Sequence, residues 1–474
     1  MDITLFSFNT PVVRSGFSPH EKYLTQPPNL GIALLASILD SGGFDVTAID
    51  GNQMFSNDFI LDNFEHCCGK MLDEVFRTCP KILAISSWTV NQPFALEFAK
   101  SYRQKDHSCV IILGGFGPTF MPEKILEIAP QVDIVIIGSG ENNFLELARK
   151  IKEGGKWKQV EGIGFRHDGR IVVNALSKNE ESLDKLPFIH YKNFRFLNSD
   201  NNFSMMVSRG CVMKCSFCTQ INFWKTYRTH SVGYVEKQIE SLCREYGDIK
   251  MWFSDDDFLI NYLYAAEISR LLRREKMVWG MQTRIDRLNE SRIKGLKEDG
   301  CASMYIGVES IIPSSLKFMN KCSDAGAYIK ATYDNLDAIS RAGIYTMVST
   351  IIGAPDELGS DIKKMEEFTI RCNGMESIFA YMGLIIPYPN TEIYRRYKAG
   401  SIGLFRLNKS LRNGRSSFFN SKYDYDVDLV PNAYGIVSRT MSIPKFSEIA
   451  GTALMNVRKN RGPPVNPIVP KEAI

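Results

Sequence analysis

The sequence lacks any long hydrophobic run. Its 474 residues contain no stretch of about 18 uncharged apolar residues, so no segment is expected to span a membrane. The first eight residues show neither the basic segment nor the apolar run of a secretion signal, which predicts a cytoplasmic protein. A strong charge of one sign is also missing. The net charge of +4 argues against nucleic acid as a primary partner.

Cysteines with the spacing of metal ligands are few. Of eleven cysteines, only three form a ligand-like group, so we expect a single metal centre. Cys67 and Cys68 are adjacent, and neighbouring residues rarely bind one metal. Six further cysteines are predicted to be ordinary buried thiols rather than disulfides, as is usual in a cytosolic protein. These are Cys79, Cys109, Cys243, Cys301, Cys322 and Cys372.

The three grouped cysteines are Cys211, Cys215 and Cys218, in the pattern C-x3-C-x2-C, with the aromatic Phe217 before the last. Three thiolates on one tight loop suit three corners of a [4Fe–4S] cube, because iron–sulfur clusters prefer soft sulfur ligands. The fourth iron then has no protein ligand and can bind a substrate or cofactor. A zinc site is the structural alternative, but no fourth ligand matches the three. The pattern therefore predicts an enzyme.

Composition and length predict a globular protein of two or three domains, with 44% hydrophobic and 23% charged residues. Residues 1–153 alternate short apolar strands with helices, which predicts an α/β domain with a doubly wound, flavodoxin-like parallel sheet. Ligands of such sheets lie beyond the carboxyl ends of the strands. Gly114 and Gly115 follow the fourth predicted strand, and Gly138 and Gly140 follow the fifth. The predicted strands are residues 3–8, 44–50, 82–87, 110–113 and 133–137.

Residues 154–203 are predicted to form a hairpin around Asp168-Gly169 and a linker. From residue 204 to 398 the β/α alternation resumes with six units, which predicts a partial (β/α)6 barrel. Residues 399–474 are predicted to form a small mixed C-terminal region, with a mobile loop at 412–419 and an extended tail at 463–467. The predicted barrel strands are residues 204–208, 250–254, 279–283, 303–308, 345–352 and 378–384.

The cysteine loop, with Arg209-Gly210 before it, resembles that of the radical S-adenosylmethionine (SAM) enzymes. The resemblance implies that SAM chelates the open iron through its methionyl amine and carboxylate. The reduced cluster then cleaves the sulfonium to methionine and a 5′-deoxyadenosyl radical. The resemblance also implies an external electron donor such as flavodoxin or ferredoxin.

Further motifs match this family in chain order and imply SAM contacts. Asp255 and Asp256 lie where the family grips the methionyl ammonium, although a helix N-cap is an alternative role for them. Arg284 lies where related enzymes point a basic side chain at the methionyl carboxylate; its alternative is a surface ion pair. Glu309 and Ser310 resemble the ribose-binding pair of strand four.

The remaining matches concern the adenine and the last predicted strand. Gly353 and Pro355 lie in a segment that resembles the adenine-binding part of strand five. Phe217, within the cysteine loop, is also implied to contact SAM. Tyr388, after the sixth strand, either stacks on a ligand or fills the mouth of the barrel.

The first domain resembles the cobalamin-binding domain of one radical SAM subgroup, through residues 27–32 and the turns at 114–115 and 138–141. The resemblance implies cobalamin at Gly114, Gly115, Gly138 and Gly140. Two features depart from the family. No D-x-H-x-x-G segment offers a histidine to cobalt, and Phe116 and Ser139 replace the usual histidine and glutamate of the turns. A domain that only supports and shields the barrel is the alternative.

The resemblance implies cobalamin-dependent C-methylation of a small molecule. The alternative keeps the radical initiation but ends in dehydration, rearrangement, epimerisation or cyclisation, with the first domain as scaffold. Modification of tRNA or a peptide is a third hypothesis, and the near-neutral charge and single cysteine group argue against it. A non-enzymatic iron–sulfur protein is the remaining one.

Overall fold

A computed structural model of the chain describes residues 2–8, 27–54, 64–176, 182–197, 201–406 and 434–460. The loop predicted at 412–419 and the tail predicted at 463–467 lie outside these ranges. Of the helices within them, none combines the length and apolar character that crossing a membrane requires.

The first half of the chain forms a seven-stranded sheet in the order β2-β1-β3-β4-β5-β6-β7. Its strands are β1 (Asp2–Ser7), β2 (Asp45–Asp50), β3 (Ile82–Ser86), β4 (Val110–Gly114), β5 (Ile134–Ile136), β6 (Ile163–His167) and β7 (Arg170–Val173). The first five strands are parallel, in the 2-1-3-4-5 order of flavodoxin-like sheets. The predicted doubly wound sheet is therefore confirmed.

Helices connect these parallel strands. They are α1 (Leu30–Ser41), α2 (Gly51–Met54), α3 (Phe64–Thr78), α4 (Gln92–Arg103), α5 (Phe116–Phe120), α6 (Pro122–Ile128) and α7 (Glu141–Lys152). The first of them shows how the sequence sets the boundaries. The Asn29 side chain accepts the Ile32 N–H at 3.1 Å and caps its start, and Gly42 follows its last residue.

The predicted hairpin is confirmed as β6 and β7, joined by Asp168 and Gly169, which both have positive φ angles. It also extends the first sheet, because β6 pairs antiparallel with β5. We therefore propose that the first domain continues through this hairpin.

The second half forms a six-stranded parallel sheet in the order β15-β14-β13-β12-β11-β8. Its strands are β8 (Asn202–Met205), β11 (Lys250–Phe253), β12 (Val278–Arg284), β13 (Cys301–Glu309), β14 (Tyr345–Ile352) and β15 (Ile378–Leu384). They follow one another in chain order without closing into a ring, which is the predicted partial barrel.

Only the first of these strands lies clearly away from its predicted position at 204–208. The chain leaves the sheet after Met205, because the Asp255 carboxylate accepts the N–H groups of Val207 and Ser208, at 3.2 and 2.5 Å. Ser208–Arg209 then forms a short strand, β9, that pairs with β10 (Arg228–Thr229) instead.

The helices of the second half cover the outside of this sheet and complete the C-terminal region. They are α8 (Gln220–Trp224), α9 (Val232–Tyr246), α10 (Tyr262–Arg274), α11 (Glu290–Glu298), α12 (Pro313–Phe318), α13 (Ala325–Arg341), α14 (Gly359–Asn373), α15 (Glu392–Lys398) and α16 (Ile443–Lys459). Two short strands, β16 (Leu404–Arg406) and β17 (Tyr434–Ile436), pair antiparallel before α16.

Candidate functional site

A cavity of about 530 Å³ separates the two sheets. The first sheet contributes residues at the carboxyl ends of its strands, such as Ser86 and Gly114. The second sheet contributes Met205, the last residue of β8, Ser254, which follows β11, and Gln282, which lies in β12. The ligand-binding edges of the two sheets therefore open on the same space.

The four glycines predicted from the first domain all line this cavity: Gly114, Gly115, Gly138 and Gly140. Gly115 has φ +108°, and a Cβ built there would lie 2.5 Å from the Ser87 carbonyl oxygen. Gly138 also has a positive φ, of +78°. Side chains are thus excluded from these turns, which leaves room for a large ligand to approach the backbone.

An aromatic stack joins the domains at the cavity. The Phe116 ring lies 4.8 Å from that of Trp88 and 4.0 Å from that of Phe223, nearly parallel to both. Phe116 is the residue that replaces the family's usual histidine, and Phe223 belongs to α8 of the second half. The stack was not predicted, because its rings come from three separate segments.

The cysteine loop is held by backbone contacts to neighbouring elements. The Cys218 N–H donates to the Cys215 carbonyl at 3.1 Å, which closes a turn between two of the cysteines. The Ser216 N–H donates to the Met319 carbonyl at 2.8 Å, and the Ser216 carbonyl accepts the Ile393 N–H at 3.0 Å. These contacts fix the path of the loop against α12 and α15.

The three cysteines fit an iron–sulfur cluster by their chemistry. Burial raises the pKa of the Cys211 thiol to about 11 and that of Cys218 to about 12, with neighbouring cysteines and aspartates adding to the effect. Thiolates in such a place need a bound cation. Within the described ranges no three Cys, His, Asp or Glu side chains surround one metal-ion position. Each cysteine of a cube binds a different iron, so its ligands need not converge on one point.

The scattered cysteines differ from the prediction at three positions. Cys109, Cys301 and Cys372 are buried as expected. Cys243 and Cys322 are half-buried, and Cys79 is exposed. Cys79 follows the end of α3 with φ +45°, in a surface turn before β3. The sequence does not distinguish such a turn from the apolar strand that follows it.

The carboxylates after β11 have separate contacts. Asp255 is fully buried and holds the backbone of Val207 and Ser208, as described above. Asp256 accepts the Gly210 N–H at 3.1 Å and lines the cavity. Burial raises the pKa of both carboxyls to about 7. Asp256 is thus placed between the start of the cysteine loop and the cavity.

Arg284 is buried beneath the cysteine loop and is not a surface residue. Its Nε and Nη2 donate to the two oxygens of Asp286, at 2.9 and 2.8 Å. Its Nη1 lies 3.5 Å from the Cys215 sulfur. Burial opposes its charge, but the hydrogen bond and charge of Asp286 outweigh this effect and raise its pKa.

Glu309 ends β13 with φ +67° and is buried. Its carboxylate accepts hydrogen bonds from Lys321 Nζ and Ser349 Oγ, both at 3.2 Å. The neighbouring Ser310 hydroxyl accepts the Ile312 N–H at 3.0 Å, inside the protein. Lys321 and Ser349 were not predicted, since no local motif marks them.

The segment after β14 depends on the carboxylate of Glu357, which no local sequence signal marks. The Glu357 Oε2 accepts the Gly353 N–H at 2.7 Å, and its Oε1 accepts the Ser315 hydroxyl at 2.6 Å. Burial raises its pKa to about 7. Pro355 is buried in the same turn, and Phe217 packs against an apolar cluster with Ile385 and Ile393.

Comparisons with known proteins agree with this architecture. Residues 205–369 match the model of the Radical SAM superfamily, and residues 21–148 match that of the B12 binding domain. An uncharacterized methyltransferase of Pyrococcus horikoshii is 28% identical over 377 residues, which cover 78% of each chain. The hopanoid C-3 methylase of Methylococcus capsulatus is 26% identical, over 77% of this chain and 67% of that one.

A solved structure has the same fold over nearly the whole chain. It is that of the radical SAM methyltransferase TsrM from Kitasatospora setae, with cobalamin and a [4Fe–4S] cluster bound. Its TM-score is 0.69 at 16% identity, and the match covers 97% of this chain and 89% of that one.

The fold and the cysteine loop define a radical SAM enzyme, whose cofactors are a [4Fe–4S] cluster and SAM. The chain combines a Radical SAM domain with an N-terminal B12-binding domain, and the second domain supports cobalamin as a further cofactor.

Proposed function

We propose that this chain is a cobalamin-dependent radical SAM methyltransferase that methylates a carbon atom of a small molecule. The observation that carries the proposal is the shared cavity, in which the glycine turns of the B12-binding domain face the strand ends of the radical SAM domain. Relatives named as methyltransferases, including the hopanoid methylase, support methylation over the non-methylating alternative.

Cys211, Cys215 and Cys218 would hold the cluster, and the four glycines of the first domain would leave room for the corrinoid. When bound, the cluster supplies the electron that cleaves SAM, and cobalamin supplies a carrier for the methyl group. The chain itself fixes the cysteine loop through the backbone contacts of Ser216.

SAM would lie between the cysteine loop and the strand ends of the second sheet. Asp256 is placed to accept the methionyl ammonium, because it borders the cavity beside Gly210. Glu309 offers acceptors for ribose hydroxyls, and its existing partners fix its orientation. Arg284 Nη1 lies 3.5 Å from the Cys215 sulfur, so this side chain would lie near the methionyl carboxylate of a SAM bound at the open iron. Gly353 and Pro355 would line the part of the SAM site that holds the adenine.

Ser310 and Asp255 are less accessible to SAM in this proposal. The Ser310 hydroxyl accepts an internal hydrogen bond, and the Asp255 carboxylate is enclosed by the Val207–Ser208 backbone. We assign them the role of fixing the loops that carry Glu309 and Gly210. An external one-electron donor, such as flavodoxin or ferredoxin, would reduce the cluster.

The test compares two preparations of the wild-type chain, one loaded with cobalamin and one without it. Both are reconstituted with iron and sulfide under anaerobic conditions and given dithionite and SAM. We expect 5′-deoxyadenosine from both preparations and S-adenosylhomocysteine only from the loaded one, in which the reduced corrinoid would accept the methyl group that leaves SAM. If 5′-deoxyadenosine forms but S-adenosylhomocysteine does not form in either, methylation is wrong and the non-methylating alternative is supported.

A further inference from the structure

The cysteine loop reaches the protein surface between two of its cysteines. Val212 and Lys214 lie between Cys211 and Cys215, and both are exposed, Val212 by 54%. Cys211, Cys215 and Cys218 themselves are half-buried. Exposed residues and cluster ligands thus alternate in the loop, which brings the position of the cluster close to the surface here.

One contact of the loop extends this surface towards α12. The Lys214 carbonyl accepts a hydrogen bond from the Asn320 side-chain amide at 2.8 Å. The Asn320 backbone N–H in turn donates to the Lys317 carbonyl at 3.1 Å, in the last turn of α12. The Lys317 side chain is exposed. Two exposed lysines therefore lie on neighbouring segments.

A second set of contacts leads from the loop to α11 and α10. Arg287 Nη2 lies 3.6 Å from the Met213 sulfur, and the Arg287 carbonyl accepts a hydrogen bond from Arg292 Nη1 at 2.5 Å. The Arg292 guanidinium lies 4.1 Å from the centre of the Tyr262 ring. Leu263, the next residue, is 77% exposed. Exposed apolar side chains therefore adjoin the cations.

The surface formed by Val212, Lys214, Arg287, Arg292 and Lys317, here called the loop face, is positively charged. Within the described ranges, Lys214, Arg292 and Lys317 form no ion pair. Neighbouring carboxylates have arginine partners. The pairs are Asp257–Arg287, Asp286–Arg284 and Glu290–Arg341. The loop face therefore presents three cations without a paired carboxylate, together with an exposed valine.

The reaction needs a partner that delivers one electron at a time. Reductive cleavage of SAM consumes an electron that the side chains of the site do not supply. Electron transfer between proteins slows steeply with distance, so a protein carrier has to dock where the cluster lies near the surface. The loop face meets this condition. Its charge favours an acidic partner, because opposite charges steer association.

We propose that the loop face docks an acidic one-electron carrier protein, which reduces the cluster across the cysteine loop. The inference rests on the proposed function, because only a chain that cleaves SAM reductively needs this electron. The carrier loses one electron and the cluster gains it, with no bond formed or broken. Val212 provides an apolar contact, and the lysines and arginines provide polar contacts, the combination found in protein interfaces.

The test measures docking and electron transfer separately. The reconstituted full chain is immobilised and titrated with oxidised flavodoxin and, separately, with an acidic ferredoxin, at low and at high ionic strength. Reduced flavodoxin is then mixed with the chain, and the loss of cluster absorbance gives the rate of reduction. The variants are Lys214→Glu and Lys317→Glu. The control is Lys276→Glu, an equal charge change at an exposed lysine before β12, at the end of the second sheet opposite the cysteine loop.

We expect each loop-face variant to bind flavodoxin about tenfold more weakly than the wild type at low ionic strength, and its cluster to be reduced more slowly. The difference should shrink at high ionic strength, because salt screens exposed charges. Lys276→Glu should match the wild type. With dithionite, a small reductant that needs no docking surface, Lys317→Glu should give the wild-type yield of 5′-deoxyadenosine.

Equal binding of flavodoxin by Lys317→Glu and the wild type overturns the docking site, and this variant decides the matter even where Lys214→Glu fails to hold the cluster. Failure of the wild type to bind either carrier overturns it as well. Self-association of the wild type in place of carrier binding, abolished in Lys317→Glu, would assign the face to a second copy of the chain and also overturn the proposal.

The same preparations separate these outcomes from a failure of the proposed function. If the wild type forms 5′-deoxyadenosine with dithionite but the docking site is overturned, the proposed function stands. If the wild type forms no 5′-deoxyadenosine with dithionite, the proposed function is overturned, and the docking proposal with it.

Discussion

Arg284 brings its Nη1 to 3.5 Å from the sulfur of Cys215, while its other two nitrogens bind both oxygens of Asp286. The end of β12 is thereby connected to the middle of the cysteine loop. The planar fork of arginine makes this double contact possible, and lysine cannot reproduce it.

Arg284→Lys should therefore lower the free energy of unfolding by about 1–3 kcal/mol, because the lysine ammonium keeps the charge but cannot donate to both oxygens of Asp286. Iron retention after reconstitution should fall as well. The control is Arg274→Lys. Arg274 forms an exposed ion pair with Glu236, so this substitution should change the free energy of unfolding by less than about 0.5 kcal/mol. Equal stability of the two variants in urea unfolding would contradict the prediction.

Cys215→Ala should abolish cluster binding, because two thiolates cannot hold the three corners of the cube that the chain supplies. The bound iron, the cluster absorbance and the 5′-deoxyadenosine yield should all fall to background. Cys243→Ala removes a half-buried thiol from α9 and should leave all three unchanged. Wild-type amounts of 5′-deoxyadenosine from Cys215→Ala would refute the assignment of the loop.

Gly210→Ala should displace the cysteine loop. Gly210 has φ +87°, and a Cβ there would lie 2.2 Å from the Thr226 carbonyl oxygen. We expect a loss of stability of about 1–3 kcal/mol and a lower iron content. Gly295→Ala is the matched control, because a Cβ built there in α11 has no described atom within 4 Å apart from its chain neighbours and the nearby backbone of its own helix. That variant should be more stable by about 0.5–1 kcal/mol.

Phe116→Ala should loosen the contact between the domains. The ring stacks on Trp88 of the first half and Phe223 of the second, so its loss removes two aromatic contacts of about 0.5–1.5 kcal/mol each beyond the lost burial. Limited proteolysis between the domains should become faster and aquacobalamin binding weaker. Phe188→Ala, at an exposed ring, provides the comparison. A proteolysis rate equal to that of Phe188→Ala would argue against a role in docking.

Glu357→Gln should change how stability depends on pH. The folded-state pKa of Glu357 is raised to about 7 from 4.5, so between these values the folded chain binds the proton more tightly than the unfolded chain. Wild-type stability should therefore fall by up to about 3 kcal/mol as pH rises through this window. Glu357→Gln should remove this part of the slope in urea unfolding at pH 5 and 7.5, whereas Glu367→Gln, at an exposed position, should keep it.

The elements that the sequence predicted well are those with a local signature. The β/α alternation predicted both parallel sheets, and the cysteine spacing predicted the loop at the centre of the site. The glycine turns at 114–115 and 138–140 were predicted from positions after strands, where parallel sheets bind ligands. In each case neighbouring residues carry the whole signal.

The features that were missed depend on contacts between distant segments. The Glu141–Arg209 pair and the Phe116–Phe223 stack join the two halves of the chain, and no local pattern specifies either. The separate roles of Asp255 and Asp256 were also hidden, because the two residues are adjacent in the loop after β11 and the sequence does not specify the path of that loop. Only the fold shows which carboxylate meets the Val207–Ser208 backbone and which meets the cavity.

The cavity between the sheets has an energetic consequence for the chain as a whole. Its walls come from both halves, so a molecule bound there contacts both and favours their docked arrangement by its binding free energy. Separate expression of the two halves would divide the binding surface, and each fragment alone would bind the ligand more weakly than the intact chain. Ligand binding and domain docking are thus coupled, and a substitution that weakens one should weaken the other.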